Sequence, residues 1–547
     1  MKKTSTLVDT FARDSLPVAE LQPDFIFELP GLQFAERINC ATELLDKNVE
    51  NGLGEKTALI GSDGSWTYSQ LMSASNQIAH VLVEDMGLVP GNRVLLRAPN
   101  NPMLVACWFA VLKAGGIAVA TMPMMRSRDL VPVIEKAEIT LALCEDELKG
   151  ELVEAASAAD TLSHVLFFNG HSGPDAVEVL MKEKSTAFNN IDTASDDVAL
   201  IAFTSGTTGV PKGVLHFHRD VLAMAVCFSE GVLATQADDI FIGSPPLAFT
   251  FGLGALVVFP MYSGATAVLL EKAGPEPLAK AIERTGATVC FTSPTGYRGI
   301  LEQIDHCDIG SLRKCVSAGE HLQVPTFEAW QAATGLRLID GIGSTEMIHI
   351  FISAIGDEIR PGSTGKAIPG YQACVLGSDD KPLPPGQSGR LAVKGPTGCR
   401  YLADERQKKY VVDGWNVTGD IYHMDSDGYF WFEGRGDDMI VSAGYNISAA
   451  EIEDVLMDHP AVVECAVVAA PDSKRGHIPN AFVVLTADHS ATPELEQTLK
   501  DFVKAQIAPY KYPRRITFIN VLPKTDTGKV QRFRLREISA ADFGRVG

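Results

Sequence analysis

Apolar runs rich in Val, Ile, Leu and Ala alternate with helix-length amphipathic stretches over most of the first 430 residues. Arg93 to Arg97, Val198 to Thr204, Ala265 to Leu270, Thr288 to Thr292 and Leu391 to Lys394 read as strands. Near-continuous apolar strands separated by helices predict buried, largely parallel sheets covered on both faces. Two longer apolar stretches invite a different reading. Residues 98–125 carry one charge, Lys113, and residues 240–270 carry none. A membrane-spanning helix needs about 20 apolar residues in one helix-compatible run. Pro102, Gly115, Gly116 and Pro123 interrupt the first, and Pro245, Pro246 and Pro260 interrupt the second. Both therefore read as buried strand–loop–helix pieces, and no membrane span is expected. No repeat and no low-complexity tract breaks the pattern.

The pattern changes near residue 434. Gly434 to Asp438, GRGDD, is small, polar and charged, with no apolar anchor before Met439. It reads as a linker or hinge. Beyond it, Met439 to Ser442 predicts a strand, and Ser448-Ala449-Ala450-Glu451 predicts a capping box opening a helix. Ile452, Val455 and Leu456 share one face of that helix, and His459-Pro460 ends it. Strands over Val462 to Ala469 and Ala481 to Leu485 and a helix over Pro493 to Gln506 complete a small α+β unit. The expected organisation is a body over 1–434, a hinge over 435–438 and a C-terminal unit over 439–547.

The chain has 547 residues, 46% hydrophobic and 21% charged, enough to bury a large core without disulfide staples. Its net charge of −21 argues against nucleic acid or anionic lipid as the main partner, because phosphate contacts need a basic surface. The ten cysteines are scattered with no CxxC pair, as expected for reduced core thiols. The N-terminal stretch lacks the apolar region of a secretory signal, so a cytoplasmic location is expected. The sequons at Asn416 and Asn446 are then chance matches.

One segment carries dense chemistry. Thr204-Ser205-Gly206-Thr207-Thr208-Gly209-Val210-Pro211-Lys212-Gly213 follows an apolar strand. Glycines let backbone N–H groups approach phosphate, hydroxyls add donors, and Lys212 adds charge. It is not a Walker loop, which needs GxxxxGK[ST]. The string resembles the phosphate-binding signature of adenylate-forming enzymes: acyl- and aryl-CoA synthetases, luciferases and peptide-synthetase adenylation domains. Four further segments resemble that family's motifs in order. They are Gly341-Ile342-Gly343-Ser344-Thr345-Glu346, Thr418-Gly419-Asp420, Gly434 to Asp438, and Pro523-Lys524-Thr525-Asp526-Thr527-Gly528-Lys529. The resemblance spans about residues 35 to 540. It implies an α/β fold: a large N-terminal body of mainly parallel sheets with helices and a β subdomain, and a small mobile C-terminal α+β domain.

It also implies activation of a carboxylate by ATP as acyl-AMP, followed by transfer to a thiol, with ATP, Mg²⁺ and coenzyme A taking part. Two anions must then be brought together, which calls for donors and cations. By resemblance, Glu346 holds Mg²⁺ through hard oxygen, Thr345 bonds the α-phosphate, and Asp420 accepts the ribose hydroxyls. Arg435 helps hold the ribose and phosphate end, and Lys529 bridges the carboxylate and the α-phosphate as a mobile charge. Ser317-Ala318-Gly319-Glu320 and Asp340-Gly341 flank adenine. Asp437 is the pivot of the C-terminal domain, and Gly444 opens a passage for a pantetheine arm. Ala443 and Ala449 depart from the family's frequent Gly and Pro.

The acid pocket is expected in Pro246 to Gly254, with Phe249 at the aromatic gate. The run GIGSTEM followed by His349-Ile350-Phe351 resembles the benzoate-CoA ligase branch, and PPLAFTFGLG resembles the 2-aminobenzoate ligases. By that resemblance Phe249, Thr250, Phe251, Gly252, His349 and Ile350 contact an aromatic carboxylate, with Thr250 and His349 able to bond an ortho-amino group. Alternatives are an aryl-AMP ligase that loads a carrier protein and a synthetase for a non-aromatic acid. An amino-acid substrate is disfavoured, because no acidic residue lies between 240 and 270 to meet an ammonium group. His216 and His218 lack a third ligand and read as structural or substrate-adjacent. Asp425-Ser426-Asp427-Gly428 reads as a turn, since Gly436 stands at the twelfth position of the calcium-loop pattern.

Overall fold

The computed structural model describes residues 5–204, 211–436, 440–442, 445–472, 476–507, 511–524 and 530–543. The predicted strands Arg93–Arg97 and Val198–Thr204 form with those bounds. The other three shift at their ends, to Thr266–Val268, Val289–Thr292 and Ser388–Lys394.

A six-stranded sheet runs His164–Phe168, Leu141–Glu145, Arg93–Arg97, Ile117–Thr121, Val198–Thr204, Lys212–Phe217. Its strands pair in parallel except the last two, which are antiparallel. The helix Pro102–Lys113 crosses between Arg93–Arg97 and Ile117–Thr121. Asn101 caps it, accepting from the Leu104 N–H, and Pro102 takes its first position. Every residue from Met103 to Lys113 is buried, which explains the uncharged stretch without a membrane. Lys113 is compensated by a bond to Asp46.

The second sheet has fourteen strands among the described residues. Its parallel part contains Thr57–Gly61, Thr266–Val268, Ile240–Gly243, Val289–Thr292, Lys314–Ala318 and Leu338–Gly343. At Leu338–Gly343 the direction switches: Ile350–Ser353 pairs antiparallel to it. Ser363–Ala367, Phe430–Arg435, Trp415–Met424, Ser388–Lys394 and Gln372–Leu376 continue the antiparallel part, which is the β subdomain. Residues 240–270 form strand Ile240–Gly243, a helical run over 250–263, and strand Thr266–Val268. No helix among the described residues is long and apolar enough to cross a membrane.

C-terminal to residue 439 lies a separate five-stranded sheet with helices Ala449–Met457, Pro493–Gln506 and Arg532–Phe543. It has its own apolar core, with Ile452, Leu456, Val467, Val483, Leu499 and Val503 inside. Ser448 accepts from the Glu451 N–H, as the capping pattern predicts. The Glu451 carboxylate binds Lys511. Among the described residues, contacts between this unit and the body include the Ser448 hydroxyl bonded to the Glu433 carbonyl and His321 Nε2 at 3.4 Å from Asp454. All ten cysteines are free thiols, and nine are buried. The Asp425 carboxylate accepts the N–H groups of Asp427 and Tyr429, so that segment is a turn.

Candidate active site

In open α/β sheets, ligands bind outside the carboxyl ends of the strands, where the topology switches. The predicted nucleotide residues collect there. Thr204 ends strand Val198–Thr204, Ser317 and Ala318 end Lys314–Ala318, and Asp340 and Gly341 sit in Leu338–Gly343. Register brings the two adenine segments together, with Ser317 beside Asp340 and Ala318 beside Gly341. Gly319 follows in the left-handed region at φ 90°, turning the chain away from the strand.

Among the described residues, three polar atoms here are buried without a partner: Thr204 Oγ1, Ser317 Oγ and Asp340 Oδ1. Orphaned buried polar groups carry a desolvation penalty that a ligand can relieve. The Asp340 carboxyl feels it directly. Burial raises its pKa to about 7, against lowering contributions from His321 and the Gly341 backbone. One carboxylate oxygen and two hydroxyls at these strands fit a nucleotide base and its phosphates. Glu320, by contrast, is already engaged, accepting from Thr295 Oγ1 at 2.8 Å.

The Ser344-Thr345-Glu346 turn is the charged centre of the site. Ser344 caps the short helix Thr345–Met347, accepting from the Met347 N–H. Glu346 is buried, and Lys212 at the start of Lys212–Phe217 lies 3.8 Å away. Its Oε1 accepts from the Tyr401 hydroxyl at 2.5 Å; among the described residues Oε2 has no partner. An uncommitted carboxylate oxygen beside a lysine fits a magnesium ion in donor type. Asp420 is also buried, and Arg435 on the neighbouring strand donates to it at 2.8 Å. Burial raises the Asp420 pKa, with Arg435 pulling the other way.

Behind this turn runs a buried charged chain that no motif announced. His216 Nε2 donates to the Thr345 carbonyl at 2.8 Å. Its Nδ1 faces Asp220 at 3.9 Å, and Asp220 accepts from Arg400 at 2.7 Å. All three are fully buried. Arg400 lies over the rings of Phe25 and Phe217, at 4.4 and 4.0 Å. His218 points elsewhere, its Nδ1 accepting from the Cys40 N–H at 3.2 Å. The two histidines therefore share no ligand, and among the described residues no cluster of His, Cys, Asp or Glu is placed to hold a metal.

The predicted acid pocket is aromatic and apolar. His349 is buried, with Phe228, Phe251 and Phe259 around it at ring-centroid distances of 5.3, 5.6 and 4.7 Å. Among the described residues neither ring nitrogen makes a hydrogen bond. Burial lowers its pKa to about 3, against a raising pull from the Phe251 backbone, so the ring is neutral. Two glycines make room. A Cβ on Gly254 would lie 2.5 Å from His349 Cδ2, and one on Gly252 would lie 2.1 Å from the Pro246 carbonyl oxygen. Ile350 packs on Gly341, linking the pocket to the adenine segment. Phe249 and Thr250 line a small cavity with Trp108, Ala202 and Leu253. Ser205 to Gly209, Asp437, Gly444 and Lys529 lie outside the described residues.

Known proteins match this arrangement. The family model for AMP-binding enzymes covers residues 45–401, and that for the AMP-binding enzyme C-terminal domain covers 451–529. A benzoate–CoA ligase of Thauera aromatica is 34% identical, over 93% of this chain and 97% of its own. The crystal structure of the anthranilate CoA ligase AuaEII in complex with anthranoyl-AMP superposes with a TM-score of 0.88 at 32% identity, covering 93% of this chain and 99% of the other. A benzoate CoA ligase from Burkholderia xenovorans LB400 gives 0.83 at 31% identity, covering 91% and 100%. The chain belongs to the AMP-binding, adenylate-forming enzyme family, as an AMP-forming acid–thiol ligase in the branch that holds the benzoate and anthranilate CoA ligases.

Proposed function

We propose that the protein activates an aromatic carboxylate of the 2-aminobenzoate or benzoate class as acyl-AMP and passes the acyl group to coenzyme A. The observation that carries this reading is the neutral His349 ring set among Phe228, Phe251 and Phe259. An apolar aromatic slot suits a flat ring. A neutral imidazole offers one donor and one acceptor. Neither has a hydrogen-bond partner among the described residues, and an ortho-amino group supplies a donor for the second. That favours 2-aminobenzoate over benzoate.

In this reading the loop from Thr204 to Lys212 holds the phosphates. Ser317, Ala318, Gly319, Asp340 and Gly341 line the adenine, Asp420 and Arg435 take the ribose end, and Thr345 meets the α-phosphate. Glu346 holds Mg²⁺, which when bound offsets phosphate charge. Lys529 brings the substrate carboxylate and α-phosphorus together. The carboxylate oxygen attacks phosphorus and pyrophosphate leaves. The body ends at 434; the C-terminal domain over 439–547 turns about 435–438 with Asp437 as pivot, and Gly444 leaves room for the thiol, which attacks the acyl carbon and releases AMP. Asp437→Pro is expected to spare adenylation and impair thioester formation; equal loss of both counts against the pivot.

The test is pyrophosphate release from Mg·ATP with benzoate, 2-aminobenzoate, hydroxybenzoates, cinnamate, acetate and a fatty acid, with and without coenzyme A. Turnover of one aryl acid with accumulation of its CoA thioester supports the proposal. Adenylate that CoA does not draw off points to a carrier-protein acceptor. Equal activity on benzoate and 2-aminobenzoate removes the ortho-amino assignment, and preference for acetate or the fatty acid overturns the aromatic one.

A further inference from the structure

Tyr401 stands between the two opposite charges of the site. Its hydroxyl donates to Glu346 Oε1 at 2.5 Å and accepts from Lys212 Nζ at 3.1 Å. A phenol has one proton to give and lone pairs to accept with, so both contacts are satisfied together. The side chain is buried, and its position is fixed from several directions. Gln407 Oε1 accepts from the Tyr401 N–H at 2.9 Å, while Gln407 Nε2 donates to the Cys399 and Leu21 carbonyls. Asn416 Oδ1 accepts from the Cys399 N–H at 2.8 Å. Tyr410 packs edge-on against the Tyr401 ring, and its hydroxyl lies 3.3 Å from Ser344 Oγ. Tyr401 thus holds Glu346 itself, whereas the Tyr410 hydroxyl reaches Ser344 and not the carboxylate.

We propose that Tyr401 is a positioning residue that occupies one oxygen of Glu346 and leaves only the other for the divalent cation that accompanies ATP. The inference rests on the assignment of Glu346 as the metal-binding carboxylate. Its consequence is ion selectivity. Magnesium takes single carboxylate oxygens in near-octahedral geometry, whereas the larger calcium readily accepts both oxygens of one carboxylate. A Glu346 held by its Oε1 therefore favours magnesium. Freed of Tyr401, it becomes able to chelate, and the preference for magnesium falls.

The test is the ratio of affinities for Mg·ATP and Ca·ATP, measured by calorimetry without any carboxylic acid in wild type, Tyr401→Phe, Tyr410→Phe and Glu346→Gln. Tyr401→Phe keeps the ring and its packing. It is expected to reduce the Mg/Ca ratio by roughly tenfold, the order of one hydrogen bond to a charged group. Tyr410→Phe is expected to leave the ratio near wild type. An unchanged ratio in a folded Tyr401→Phe protein, or an equal fall in Tyr410→Phe, overturns the proposal. If Tyr401→Phe does not fold, 3,5-difluorotyrosine at 401, a stronger donor of nearly the same shape, is expected to raise the ratio; a ratio that stays or falls overturns the proposal. Glu346→Gln separates the two levels. If it leaves both affinities intact, the metal assignment itself fails. If it lowers them while Tyr401→Phe leaves the ratio unchanged, only the role of Tyr401 fails.

Discussion

Asp340 offers a test in which stability and nucleotide binding are linked through one proton. Its carboxyl is buried in the adenine segment with Oδ1 unpartnered, and its pKa is raised from 3.8 to about 7. The folded state thus prefers the neutral acid, while the unfolded chain ionises near 3.8. The penalty is absent below the unfolded value, grows as pH rises, and is complete above the folded value. At 1.36 kcal/mol per unit, its ceiling above pH 7 is about 4 kcal/mol. Asp340→Asn removes the charge and keeps an acceptor. It is expected to raise the melting temperature by several degrees at pH 8, less at pH 5, and not at all near pH 4. The same carboxyl governs binding. A donor such as an adenine amino group favours the ionised form, so ATP affinity in wild type is expected to climb as pH rises from 6 to 8. The Asn variant should lose that climb, and subtracting one pH profile from the other cancels the titration of the phosphates. Calorimetric titration with Mg·ATP and thermal melts across this range supply both readouts. An Asn variant that gains no stability at pH 8 and keeps the wild-type slope refutes the reasoning.

Three other perturbations probe separate parts of the site. Gly254→Ala puts a methyl 2.5 Å from His349 Cδ2, so the ring must recoil by about 1 Å, a misplacement that costs on the order of 10²-fold in kcat/KM for a positioned substrate. The loss should fall on the aromatic acid and leave the KM for ATP unchanged; a variant with lower Tm but wild-type kcat/KM would mean that His349 only packs. Arg400→Met strands the buried Asp220 carboxylate and is expected to destabilise by about 3–5 kcal/mol in urea unfolding, with Asp220→Asn added to it recovering much of the loss. Lys529→Ala is expected to cut acid-dependent pyrophosphate release by roughly 10²–10³-fold; undiminished release would remove Lys529 from the adenylation step.

Much of the architecture was legible because burial writes itself into composition. The strand Val198–Thr204 and the helix Pro493–Gln506 lie where the pattern puts them, since one is a continuous apolar run and the other opens with a Thr-Pro start that Thr492 caps. The fully buried helix Pro102–Lys113 and the helical run over 250–263 are visible as stretches without charge, and proline and glycine spacing is enough to keep them out of a membrane. Strand ends are less legible. Ala265 and Leu270 are as apolar as their neighbours, but only Ala267 and Val268 pair on both sides, and Thr266 on one.

The site divides along a different line. Groups assigned to the substrates sit in short local strings, because glycines, hydroxyls and a lysine must follow one another along a single loop or turn. Groups that hold those strings in place obey no such constraint. Tyr401 lies 55 residues from Glu346 and 189 from Lys212. Its neighbour Arg400 reaches the same turn by another route, through Asp220 and His216 to the Thr345 carbonyl. Hydropathy alone assigns Arg400 to the surface, yet it is fully buried between two phenylalanines. The spacing of His216 and His218 carries no third metal ligand, and the pair reads as structural or substrate-adjacent. The break between strand Lys212–Phe217 and the helix that starts at His218 sends them to different partners. A sequence therefore advertises the groups that touch a ligand and conceals the ones that orient them. The concealed set makes the sharper test of mechanism here, because changing Tyr401 or His216 removes no group assigned to the substrates and alters only how Glu346 and Thr345 are presented to them.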